Sequence, residues 1–153
     1  MIRLIIAGFL VLGGQACATE NTYMKHHVIN STFEFARDDV EMAITDRGMV
    51  INNVSHIGNM LERTGKDLGG KKLYEKAEAL EFCSSVISRK MMEADPHNIV
   101  FCPYIIAIYT LPGEEDKVHI SYRRPRIVGS DESQKSLKAV EKLLDDIIGD
   151  VVN

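Results

Sequence analysis

An α+β domain, with helices covering a small mixed or antiparallel sheet, is the fold class the sequence predicts. Three observations point there. Stretches of strand and helix character alternate along the chain in the order β-α-β-(α)-β-α-β-β-α. The last two strands are separated only by the turn residues 113–116, which predicts a hairpin and excludes an all-parallel sheet. The chain has 153 residues, of which 45% are hydrophobic and 26% charged. That suits one domain with a single core, since domains cluster at roughly 100–150 residues, and it is not the composition of a disordered chain.

The first residues bear on compartment. "MIRLIIAGFLVLGGQACA" carries one positive charge at Arg3, an apolar run from Leu4 to Leu12, and then small residues. This is the layout of a secretory signal. The run falls short of the roughly 20 apolar residues a membrane span needs. Ala16-Cys17-Ala18 fits a small-residue cleavage site, so a leader of residues 1–18 and a mature chain of 19–153 are expected. The mature protein would then be periplasmic or secreted, with no transmembrane span. Lipid attachment through Cys17 is the alternative, although Gly14 stands where such a site favours Leu; an uncleaved first strand is the third reading. The net charge of −4 argues against nucleic acid as a partner.

The elements follow in order. "TYMKHHVIN" (22–30) reads as a strand from its partial alternation and β-branched residues. Residues 31–48 read as a helix: Ser31 and Glu34 form a capping-box pattern, and Phe33, Ala36, Val40, Ala43 and Ile44 make an apolar stripe. Gly48 supplies the left-handed residue that ends it. Residues 49–57 read as a second strand. The segment 58–77 predicts one or two short helical turns and a bend at Gly69-Gly70. A short strand at 78–83 leads into a helix over 84–94, capped near Ser84 or Cys83 and stopped by Asp95-Pro96. "NIVFCPYIIAIYTL" (98–111) is the most β-prone stretch and the expected central strand, with 117–125 returning antiparallel to it. A helix over 131–149 closes the chain, with Leu137, Val140, Leu144, Ile147 and Ile148 on one face.

Candidate chemistry is sparse. No phosphate loop, nucleophile elbow or zinc-protease motif is present. Cys83 and Cys102 are the only cysteines after Cys17. A strand-helix-strand unit can bring both to one edge, and three readings stay open: a disulfide, two packed apolar thiols, or a reactive or metal-binding site in which a helix N-terminus favours thiolate at Cys83. There is no C-x-x-C. His56 and Met60 are four apart and would share a helical face, a donor pair suited to copper or haem iron. A core methionine and a hydrogen-bonded histidine are the plainer reading. His26 and His27 point to opposite faces of a strand, His97 is expected to be exposed, and His119 is expected on the less buried face of its hairpin. Arg123, Arg124 and Arg126 cluster at a strand end, where they could fork onto a carboxylate, phosphate or sulfur oxyanion or simply stand in solvent.

The run "SHIGNMLERTGKDLG", followed by "YEKAEALEFCSSVISRKMMEADPHNIVFCPYIIAIYTLPGEEDKVHISYRRP", resembles the domain of unknown function 302 family. The Phe-Cys-Ser after a short strand, the helix ending in Asp-Pro, and the Pro-Tyr-Ile before a hairpin carry the likeness. It spans roughly Met24 to Pro125, with the C-terminal helix outside it. It implies a compact α+β domain and a homodimer. It implies no reaction and no catalytic residues to carry over. The first functional reading is therefore an exported binding domain, without visible catalytic machinery, whose site gathers His56, Met60, Cys83, Cys102, Arg123 and Arg124 around a small ligand, metal or haem. A thiol-based redox or sulfur-handling accessory using Cys83 and a purely structural dimerising domain are the alternatives.

Overall fold

The structure is a computed structural model and describes residues 23–114 and 116–152. The expected leader and Cys17 lie outside the described residues.

Five strands form one sheet: β1 (Met24–Asn30), β2 (Val50–Ser55), β3 (Lys76–Cys83), β4 (Tyr104–Thr110) and β5 (Lys117–Arg123), in the spatial order β1-β5-β4-β3-β2. Every neighbouring pair is antiparallel, and β4 is central, as the sequence predicts. Four helices accompany them: α1 (Phe33–Thr45), α2 (Ile57–Leu68), α3 (Ser85–Ala94) and α4 (Asp131–Val152). Among the described residues, no helix is long and apolar enough to cross a membrane.

Alternation sets the two faces of the sheet. Leu80 and Phe82 on β3, Ile106 and Ile108 on β4, and Val118 and Ile120 on β5 are fully buried beneath the helices. The stripe expected on α4, Leu137 to Ile148, completes this core. α1 and α4 are tied at one end by Arg47, whose guanidinium donates to Ala43 O at 2.7 Å and pairs with Asp150 at 2.7 Å. Ala107 on β4, between Ile105 and Tyr109, and Ala79 on β3 lie on the opposite face of the central strands.

Four expectations need correction. The first helix begins one residue late for its box: Thr32 is the N-cap and accepts from Phe35 N at 3.3 Å, while Glu34 pairs with Lys76. The segment after β2 is one three-turn helix rather than scattered turns. It ends at Gly69, whose φ of 67° only glycine adopts readily. Gly58 in its first turn lies so close to β3 that a Cβ would meet Ala77 N at 2.8 Å. The β-prone run 98–111 does not start as a strand, because Pro96–Phe101 forms a 3-10 helix. Asp95 caps that turn through His97 N at 2.9 Å, and the buried Asn98 side chain donates to Met91 O and Ser133 Oγ. Those tertiary bonds override the local β preference. Finally, His119 does lie on the face away from the main helices, yet it is only 7% exposed.

Candidate functional site

The strand pairing itself opens a concave feature. The β4–β5 ladder runs only from Ile106–Tyr122 to Tyr109–His119. Beyond it the start of β4 and the end of β5 separate, and a cleft of about 660 Å³ enters between them toward α4. That size falls within the roughly 300–1,000 Å³ usual for small-molecule sites. Its walls are Val100, Phe101, Ile105, Val140 and Leu144, with the rings of Tyr104 and Tyr122 below.

Three arginines line the same cleft: Arg123, Arg124 and Arg126. Arg124 reaches back to α4, donating from Nε to Glu141 Oε1 at 2.6 Å. Arg123 and Arg126 are exposed, and among the described residues no carboxylate pairs with either. Among the described residues, the lining contains no acidic residue. A positively charged mouth over an apolar floor therefore stands out on a chain of net charge −4.

Tyr104 and Tyr122 are anchored differently. Tyr104 lies edge-on to Phe82 at 77°, and its hydroxyl and Ser88 Oγ are 2.9 Å apart. Burial pushes the Tyr104 hydroxyl up to about 12. Tyr122 donates to Asp145 Oδ1 at 2.7 Å, and Lys25 holds the same carboxylate at 2.7 Å. Burial, and then the Asp145 carboxylate, raises the Tyr122 hydroxyl far above its ordinary value, so it stays a donor.

Directly behind the cleft wall lie the two thiols. Phe82 and Tyr104 form the last pair of the β3–β4 ladder, and Cys83 and Cys102 lie just past it on the two strands' chains. Both are free and half-buried. Cys102 Sγ also lies 3.8 Å from Ser88 Oγ. Burial, then the hydrogen bond with Cys102, pushes the Cys83 thiol up to about 11. Ser84 rather than Cys83 is the N-cap of α3, so the helix end does not turn Cys83 into a thiolate.

His56 and Met60 sit elsewhere. His56 is the N-cap residue of α2, and its Nδ1 is 2.9 Å from Glu78 Oε1. Met60 is one turn further along and 47% exposed. Glu78 and Cys83 are five residues apart on β3, about 16 Å at the usual strand rise. The structure thus joins Cys83 with Cys102 and places Arg123 and Arg124 on the neighbouring cleft, but it does not bring His56 and Met60 to either. Among the described residues, no group of three or more His, Cys, Asp or Glu side chains could hold a metal ion.

One cluster escaped the sequence reading. His26 Nε2 lies 2.9 Å from His119 Nδ1, and His119 Nε2 lies 3.0 Å from Glu114 Oε2. Tyr109 stacks on His119 at 4.9 Å and 8°. The register His26–Ser121 and Val28–His119 creates this arrangement. Only the alternation around His119 hinted at its face, and nothing local signalled the partner on β1.

The model for the domain of unknown function DUF302 matches residues 25–151. It therefore extends beyond the Met24–Pro125 span of the resemblance and takes in α4. The crystal structure of the uncharacterized conserved protein DUF302 from Bacillus stearothermophilus superposes with a TM-score of 0.70 at 12% identity, covering 85% of this chain and 98% of that one. No curated protein matches this chain. With the fold and most of its length accounted for in this way, the chain belongs to the DUF302 family.

Proposed function

We propose that this protein is an exported binding domain whose ligand is a small organic anion with an apolar body, held in the cleft between β4, β5 and α4. The observation that carries the reading is the pairing of an apolar cleft of about 660 Å³ with Arg123 and Arg126 at its mouth. Apolar walls supply affinity through burial, and unpaired guanidinium groups supply orientation by forking onto a carboxylate or similar anion. A metal or haem held by all four soft donors fits less well, because His56 is paired with Glu78, which lies about 16 Å along β3 from Cys83.

Decanoate and decanol are the test probes, read by amide shift perturbation and calorimetry. Decanoate is expected to perturb Val100–Ile105, Arg123–Arg126 and Val140–Leu144, and to bind more tightly than decanol. Replacing both Arg123 and Arg126 with Gln should weaken decanoate by roughly tenfold or more, since a hydrogen bond to a charged group contributes about 1.5–3 kcal/mol. Absence of binding, or shifts scattered away from the cleft, would sink the reading. Export is part of the proposal, supported by the layout of residues 1–18. Intact mass of the protein from its native envelope should begin at Thr19. The homodimer implied by the family resemblance finds support in α2, whose Met60 and Leu68 are exposed; light scattering on the mature chain tests it.

A further inference from the structure

We infer that the 3-10 turn Pro96–Phe101 and the arginine rim of the cleft form a docking surface for an anionic lipid membrane. Ile99 and Val100 enter the lipid, and Arg123 and Arg126 meet its headgroups. What the cleft then receives, an amphiphilic anion drawn from the membrane, rests on the cleft reading above; the docking itself does not.

The turn is anchored so that it holds apolar side chains out in water. A 3-10 helix repeats every three residues, which puts Asn98 and Phe101 on one side. Asn98 is buried and donates to Met91 O at 3.0 Å and to Ser133 Oγ at 2.8 Å. Phe101 packs against the core. Asp95 fixes the start of the turn through His97 N. Ile99 and Val100 are left on the outer side, 60% and 72% exposed. Ile105, 37% exposed, adds a third open apolar side chain on the same cleft as Val100. Apolar side chains fixed in water gain nothing from the fold, and an adjoining group of them marks a surface that meets an apolar partner.

Charge selects that partner. Val100 lines the same cleft as Arg123 and Arg126, so the apolar tip and two guanidinium groups share one rim. Among the described residues, no acidic side chain interrupts that lining. An apolar edge beside exposed arginines suits an anionic lipid surface: the aliphatic side chains enter among the acyl chains, and the guanidinium groups fork onto headgroup phosphates. The net charge of −4 gives the molecule as a whole no attraction to such a surface. This face therefore supplies both the attraction and the orientation. Docking through the turn sets the cleft mouth against the bilayer, the layer into which an anion with an apolar body partitions.

Flotation of the mature protein with vesicles of phosphatidylcholine, alone or mixed with phosphatidylglycerol, tests the docking. The expected result is binding to the mixed vesicles, roughly tenfold weaker binding to pure phosphatidylcholine, and release by salt. Ile99→Ser should weaken vesicle binding roughly tenfold. It should leave decanoate binding in solution unchanged, because Ile99 is not part of the cleft lining. Replacing both Arg123 and Arg126 with Gln should erase the preference for the mixed vesicles. Ile99→Trp gives a chain that has no tryptophan a single emitter at the tip, and its fluorescence should shift to the blue only with the mixed vesicles. No binding to the mixed vesicles, or binding that Ile99→Ser leaves intact, would overturn the proposal. So would self-association that Ile99→Ser abolishes without any vesicle binding, which assigns the patch to a second copy of the chain. Vesicle binding without decanoate binding defeats the cleft reading and leaves the docking standing. Decanoate binding without vesicle binding defeats the docking alone.

Discussion

His26 Nε2 and His119 Nδ1 meet at 2.9 Å across β1 and β5, and Glu114 Oε2 lies 3.0 Å from the far nitrogen of His119, Nε2. A carboxylate accepts the His119 Nε2 proton. His119 Nδ1 must then accept, so His26 Nε2 donates and His26 Nδ1 carries the free lone pair. Burial, then the His119 and His27 rings, lowers the His26 pKa from 6.5, with Glu114 working in the opposite direction.

The sign of the pH effect follows from that shift. Where the folded pKa is below the unfolded one, the unfolded chain binds the proton more readily. The stabilisation is fully present above 6.5 and is lost as pH falls through the lower folded-state value. Urea unfolding between about pH 5 and 7.5 should therefore show stability rising with pH. His26→Asn should flatten that slope. Glu114→Gln should lower the His26 pKa further, read by ring-proton titration. A His26 pKa at or above 6.5 would refute this account.

The two glycines of α2 make opposite predictions. At Gly58 a Cβ would press on Ala77 N at 2.8 Å, an atom fixed in β3. Gly58→Ala should cost about 1–3 kcal/mol, the usual range for overpacking. At Gly65 the nearest atom to a Cβ is Gly70 O at 3.9 Å, an ordinary contact. Gly65→Ala should stabilise by about 0.5–1 kcal/mol through helix propensity. Thermal unfolding of the two variants checks both signs.

The start of α1 shows how far local sequence reaches. The apolar stripe of α1, the hairpin of β4 and β5 and the buried face of α4 were all legible, because period and turn chemistry fix them within one segment. The choice between Ser31 and Thr32 was not, because Glu34 could close a capping box or pair with Lys76 on β3, and only the tertiary fold brings Lys76 near. Asn98 behaves alike: its bonds to Met91 O and Ser133 Oγ come from α3 and α4 and turn a β-prone run into a 3-10 helix. The cleft was half legible. The arginines announced themselves, but its apolar walls come from three distant segments. Thr32→Ala should thus cost about 1 kcal/mol, and Ser31→Ala much less. Equal losses in denaturant unfolding would restore the capping box.

Asp145 offers the last test, because two donors hold one carboxylate under the sheet. Lys25 Nζ and Tyr122 Oη each lie 2.7 Å from it. Burial works to raise its pKa, yet the Lys25 and Tyr122 hydrogen bonds outweigh burial and hold it below the ordinary 3.8. Its stabilisation is accordingly complete above 3.8 and fades as pH drops through the folded-state value. Tyr122→Phe keeps the ring that fills the core and removes one donor. The variant should lose about 1–2 kcal/mol at pH 7. It should also move the Asp145 pKa up toward its ordinary value. As the pH falls through the folded-state values the carboxyl protonates in both proteins, and the difference between them should shrink. A gap that stays constant from neutral to acid pH would mean that the hydroxyl contributes through packing, not through the charge it faces.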